Sequence, residues 1–209
     1  MKEIVIVGAG GFGRETLTLI KRINKLENKW IIKGFIDDNP HSLDGKDCGY
    51  GIIGSIQDWN PSENEVFAMG ISSPQAKEKV VRVLKDRGVK FETLISPNAI
   101  INESAKIGEG CVIKGFSVIG EDVVLGDFVD VAGSMIGQDS VIGDYSTTTG
   151  FANIVCANLG DRVFIGSHAV VLNNVKIGDD AFVCAGSICY GNVKPGKKVF
   201  GNPAKIFKI

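Results

Sequence analysis

Phosphate chemistry is the first that this sequence suggests, at Gly8-Ala9-Gly10-Gly11-Phe12-Gly13. The loop follows an unbroken apolar run, Ile4-Val5-Ile6-Val7, and precedes Arg14 to Leu26, where apolar residues recur at helical spacing. Glycines at a helix start leave backbone N–H groups unhindered, and such groups can meet a diphosphate. Gly8, Gly10, Gly11 and Gly13 are therefore candidate ligand contacts. Asp37-Asp38 closes the next apolar run, Trp30 to Ile36, where a dinucleotide fold places an acid on a ribose. NAD enzymes share this arrangement, but no second catalytic domain follows, because the rest of the chain is a repeat.

Proton-transfer chemistry has few candidates. The two histidines are His41, after Pro40 in a loop, and His168, in Ile165-Gly166-Ser167-His168. His41 is read as a solvated loop residue with the option of touching a bound ligand. His168 is open between a solvated corner residue and a base. Ser146-Thr147-Thr148-Thr149 is a hydroxyl cluster that either binds a polar ligand or ladders between neighbouring strands. Cys48, Cys111, Cys156, Cys184 and Cys189 are odd in number and scattered, which favours buried free thiols over zinc or a redox pair, and no metal site is expected. Lys197, Lys198 and Lys205 form a basic end that is either solvated or anion-binding.

Two kinds of element must position these groups. The first half alternates strands and helices: a third strand is expected over Glu65 to Gly70, a helix over Pro74 to Arg87, and a return to strand over Phe91 to Ile95. A parallel sheet with crossover helices is the simplest topology, with ligands beyond the carboxyl ends of the strands. From Ile101 an aliphatic recurs every six residues, at Ile107, Ile113, Ile119, Leu125 and Val131. The period slips to five at Ile136 and at Leu159 and otherwise holds through Val183, with Thr148 in one aliphatic place. Such a hexapeptide period marks a parallel β-helix.

With 209 residues, 44% of them hydrophobic, and a formal charge of -1, the chain is expected to be folded and to act on small molecules rather than nucleic acid. No apolar stretch approaches the ~18 residues of a membrane span, so no membrane insertion and a cytoplasmic location are expected.

The glycine loop followed by Arg14-Glu15, the Asp37-Asp38 strand end, Thr93-Leu94-Ile95-Ser96-Pro97, the repeats and Gly201-Asn202-Pro203-Ala204-Lys205 occur in this order. Together they resemble the sugar O-acyltransferase family of hexapeptide-repeat acyltransferases, which includes sialic acid O-acetyltransferases and the bacillosamine-pathway N-acetyltransferase. The resemblance implies a Rossmann-like α/β domain over 1–96 that binds a nucleotide-linked sugar. It implies a left-handed β-helix over 97–209 that binds acetyl-CoA, a homotrimer, and acetyl transfer to a sugar amine or hydroxyl in surface glycan synthesis. Gly186, Pro203, Lys205 and His168 then fall where the acyl donor is held. Three family histidines fall on Phe12, Gln138 and Thr147, which assigns Phe12 and Thr147 to the sugar and Gln138, with Asp139 as its acid neighbour, to the catalytic position. Glutamine cannot take a proton at neutral pH. The acceptor is therefore an amine that attacks unaided, or His168 supplies the base, or the chain binds nucleotide sugar without turnover.

Overall fold

The computed structural model describes residues 1–207, so the last two residues of the expected 97–209 domain lie outside it. Ile4, Val5, Ile6 and Val7 are fully buried, as a central parallel strand covered on both faces requires. They belong to β1 (Lys2–Val7), which leads into helix α1 (Gly11–Glu27) and then β2 (Trp30–Ile36). Leu17, Ile20 and Ile23 give α1 its buried face, and Asn28 ends it in the left-handed conformation (φ 47°). An edge strand, β3 (Ile52–Gly54), precedes β4 (Glu65–Met69) and helix α2 (Pro74–Lys85). The four-stranded sheet runs β3-β2-β1-β4, and all its pairings are parallel.

The remainder is a left-handed parallel β-helix whose strands are mostly two residues long, arranged as three faces of eight, six and five strands. The expected inward aliphatics Ile113, Val131, Ile136, Ile142, Ile154, Ile165, Val171 and Val183 are each fully buried. The slips of the period mark shortened corners at Gly133 (φ 65°) and Cys156 (φ 48°), both in the left-handed region that the tight turns require. The hydroxyl cluster ladders between coils: Ser146 Oγ donates to Gly160 O at 3.0 Å and Thr149 Oγ1 to Ile165 O at 2.9 Å. Hydrogen bonding of the solenoid begins at Leu94–Ile95, which pairs with Val112–Ile113, slightly before the expected 96/97 boundary. All five cysteines are free; Cys111 and Cys189 are buried, while Cys48, Cys156 and Cys184 are half-buried. Burial pushes the Cys111 thiol up to about 12.

The eight-stranded face, from Leu94–Ile95 to Lys205–Ile206, is the docking face for the α/β unit. Its outward residues Val112 and Asp130 are fully buried, and Thr147 is 1% exposed. Beside them Phe128 is fully buried, edge-on to Phe91 at 5.0 Å and stacked on Tyr145 at 5.5 Å. Lys85 and Glu109 pair across the same seam, as do Lys114 and Glu15.

This aromatic stack joins both halves in one core, so Phe128→Ala should lower the unfolding free energy of the full chain by about 3–5 kcal/mol in urea denaturation. A loss below about 1 kcal/mol would show that the seam is held elsewhere.

Candidate active site

The glycines of the first loop divide into two groups by what surrounds them. A Cβ on Gly13 would lie 2.0 Å from Gly8 O, and one on Gly70 would lie 2.7 Å from the same oxygen. Gly13 therefore serves the close approach of α1 to the end of β1, and does not line the pocket. Gly10 has an ordinary φ of -65°, and a Cβ there would meet nothing within 4 Å. Neither packing nor backbone conformation calls for glycine at Gly10. Its bareness leaves the backbone open toward a pocket of about 420 Å³ at the carboxyl ends of β1 and β4.

Both helices start at this pocket. Gly10 caps α1 and Ser73 caps α2, and neither cap makes a side-chain hydrogen bond; neither first turn carries an acid. The first-turn N–H groups of α1, and in α2 those that follow Pro74, which has none, are thus not taken by a side-chain cap, and both dipoles favour negative charge. Gly8, Gly11 and Phe12 complete this side of the pocket, and Lys114 Nζ stands 3.6 Å from the centre of the Phe12 ring. Asp37 and Asp38 line the far side, where Asp37 Oδ2 accepts from Ala9 N at 2.7 Å and Asp38 Oδ1 from Gln57 N at 3.0 Å. Asp37 therefore shapes the glycine loop itself, a task that the chain spacing alone does not reveal.

Gln138 is elsewhere. It follows Met135–Ile136 of the six-stranded face and precedes Val141–Ile142 of the five-stranded face, so it occupies the corner opposite the docking face. There it lines a groove of about 780 Å³ with Glu103 and Glu121, which lie on the two preceding coils. Asp139 takes the corner itself, at φ 56°, and its N–H donates to Glu121 O at 3.0 Å. His168 lies at a different corner, between the docking face and the six-stranded face, exposed and stacked on Phe151 at 5.3 Å. Gly186 is one coil further along that edge, with its N–H on Ser167 O at 2.8 Å. The turn containing Pro203 returns there, because Ala204 N donates to Ile188 O at 2.8 Å, and Lys205 is exposed just beyond it. His41 is exposed and bonded to Asp44 at 2.9 Å, away from both cavities.

Thr147, expected at the sugar, is buried beneath the pocket wall, and its hydroxyl donates to Ser72 O at 2.8 Å. Next to it the Lys77 ammonium meets Asp130 Oδ2 at 2.7 Å with both side chains fully buried. Burial pushes Lys77 down and Asp130 up from their usual ranges, while their mutual attraction opposes both shifts. Lys77, Ser72, Ser73 and Asp130 are absent from the sequence-based candidates. Among the described residues no group of three or more His, Cys, Asp or Glu could hold a metal, and no helix is long and apolar enough to cross a membrane.

Residues 3–84 match the PglD N-terminal domain, and residues 95–199 match the GMPPB C-terminal domain. Over 97% of its length the chain is 30% identical to the GDP-perosamine N-acetyltransferase of Escherichia coli O157:H7, covering 95% of that protein. The chain belongs to the hexapeptide-repeat sugar acetyltransferases. This acetyltransferase fold is shared with the acetyltransferase domain of PglB from Neisseria gonorrhoeae FA1090 in complex with acetyl coenzyme A. The TM-score is 0.88 at 24% identity, over 99% of both chains. It is shared too with PerB from Caulobacter crescentus in complex with CoA and GDP-perosamine, at TM-score 0.89 and 22% identity, over 100% of this chain and 98% of that one.

If the bare glycine serves a ligand, Gly10→Ala should leave the melting temperature unchanged and weaken nucleotide binding about tenfold or more by calorimetry, the scale of a lost charge-assisted contact. Gly13→Ala should instead destabilise the α/β unit, because its Cβ has no room. Equal behaviour of the two variants would contradict the division.

Proposed function

We propose that this acetyltransferase moves the acetyl group of acetyl-CoA to the amino group of a nucleotide-linked sugar. Gln138 at the catalytic corner carries this reading: an amide can orient an amine or a thioester carbonyl but cannot accept the proton that a sugar hydroxyl must lose. A free amine needs no such help. Its nitrogen lone pair attacks the thioester carbonyl, the carbon–sulfur bond breaks, and CoA leaves as the thiolate. The nitrogen then sheds its surplus proton to water or to the leaving sulfur. The convergent helix starts support a nucleoside diphosphate in the α/β pocket, and the name of the curated relative supports a nucleotide amino sugar as acceptor.

The active unit is a homotrimer in this proposal. Pocket and Gln138 stand on opposite sides of the solenoid, so a sugar held by one chain is placed for Gln138 of another. The outward row of the six-stranded face is largely apolar, with Ile100 67% and Met135 49% exposed, and it borders the Gln138 groove. A neighbouring chain on that face would bury the row and wall the groove. Acetyl-CoA then lies along the edge of Gly186 and Pro203, with Lys205 on its phosphates. The sugar amine arrives from the pocket of Gly10, Phe12 and Asp37. The setting is cytoplasmic synthesis of a surface glycan precursor. A second reading keeps His168 as the base, because it stands at the corner shared by the docking face and the groove-bearing face.

Thiol release from acetyl-CoA against a panel of nucleotide-linked amino and hydroxy sugars tests this function. Turnover is expected with amino sugars, and silence across the panel would leave only nucleotide-sugar binding. With the working acceptor, Gln138→Ala should lower kcat modestly and His168→Ala should leave it within about tenfold. A loss of about 100-fold or more in His168→Ala, the scale of a general base, would transfer the role to that residue.

A further inference from the structure

We infer that Lys77, Asp130 and Thr147 are positioning residues that set the wall of the nucleotide-sugar pocket; the inference rests on the proposed role of that pocket. Lys77 projects from the first turns of α2 into the docking face, and its three ammonium protons have three acceptors within reach. These are Asp130 Oδ2 at 2.7 Å, Thr147 Oγ1 at 3.2 Å and Ser146 O at 3.4 Å. Thr147 has a single proton to give. Two acceptors lie within its reach, Ser72 O at 2.8 Å and Asp130 Oδ2 at 3.2 Å; because Asp130 Oδ2 already accepts from the ammonium at 2.7 Å, the proton goes to the nearer Ser72 O. Lys77 also holds the next residue through its main chain, its N–H donating to Ser73 O at 2.8 Å. Ser72 and Ser73 are the pocket wall that faces the glycine loop. A continuous series of directional bonds thus runs from Asp130, on the solenoid, to the wall of the pocket.

Stability alone does not explain this arrangement. A fully buried ion pair contributes little beyond what apolar side chains of the same size would give, and Asp130 Oδ1 is buried without a hydrogen-bond partner. Hydrophobic docking would fix the two halves as firmly, but without direction at Ser72. The polar series fixes the angle of one carbonyl and, through it, the place of the Ser73 cap and the free N–H groups of α2. Where the family resemblance sets a histidine, a threonine hydroxyl of the right length reaches Ser72 O.

Steady-state kinetics on the full chain test this, with the nucleotide sugar that the wild type turns over in the thiol-release panel. Thr147→Val keeps the shape and removes the proton donor. The KM for the nucleotide sugar should rise about five- to tenfold, the scale of one hydrogen bond, with the KM for acetyl-CoA within about twofold and Thr147→Ser restoring the wild-type value. Should Thr147→Val fail to fold, the paired change Lys77→Met with Asp130→Leu removes the ion pair while filling its space. It should fold and show the same selective rise. A fall in melting temperature with both KM values unchanged, or an equal rise in both, would overturn the positioning role. A panel without any acceptor would overturn the proposed transfer but leave nucleotide-sugar binding; calorimetric Kd for the nucleotide sugar then replaces KM, and an unchanged Kd in Thr147→Val would overturn this inference.

Discussion

The buried contact of Lys77 with Asp130, flanked by the Phe91, Phe128 and Tyr145 rings, fixes the α/β unit to a single face of a three-sided solenoid. Most other features of the molecule depend on that choice of face. The pocket opens at the carboxyl ends of β1 and β4, above the docking face, while Gln138 sits at the corner where the other two faces meet. If the two make one active site, as proposed, each chain carries two halves of it that point away from each other. An oligomer that sets the groove of one chain against the pocket of the next is the simplest arrangement that joins them, and the exposed apolar row beside the groove gives it a surface to use.

Within the proposed nucleotide-sugar pocket, the groups offered to an anion are backbone N–H groups rather than charged side chains. Two helix starts lack side-chain caps, and the bare Gly10 and Gly11 leave the backbone open, as the proposed binding of a phosphate requires. The acids of the same pocket are occupied by the protein: Asp37 bonds Ala9 N and Asn39 N, and Asp38 bonds Gln57 N. Their role is to shape the loops around the ligand. At the groove the balance reverses, since Gln138 stands among Glu103 and Glu121 with no histidine on its corner. Such a corner suits an acceptor that arrives as an amine.

The fold was largely legible from the sequence because its signals are periodic. Inward aliphatics such as Ile113, Ile142 and Val171 repeat with the coil, and even the two slips fall at real corners. The strand β3 was not legible: Ile52-Ile53-Gly54 is too short to show alternation, and its pairing with β2 is a tertiary event. The glycine loop announced the pocket, but chain spacing could not separate packing Gly13 from open Gly10. Lys77 was hidden because a lysine in an amphipathic helix reads as solvated, and Asp130 because an acid beside an inward valine reads as a surface residue. Only the docking of two domains buries them together. Thr147 was singled out through the resemblance, yet its place beneath Ser72 depends on the same docking.

Whether two chains share each active site is best measured by complementation. Gly10→Trp fills the nucleotide pocket and Gln138→Trp fills the groove, so each variant alone should be inactive in thiol release from acetyl-CoA. Co-expressed in the same cells and purified as mixed oligomers, they should regain a clear fraction of wild-type turnover, because some interfaces pair an intact pocket with an intact groove. Mixed oligomers as silent as either variant alone would contradict a site built between chains.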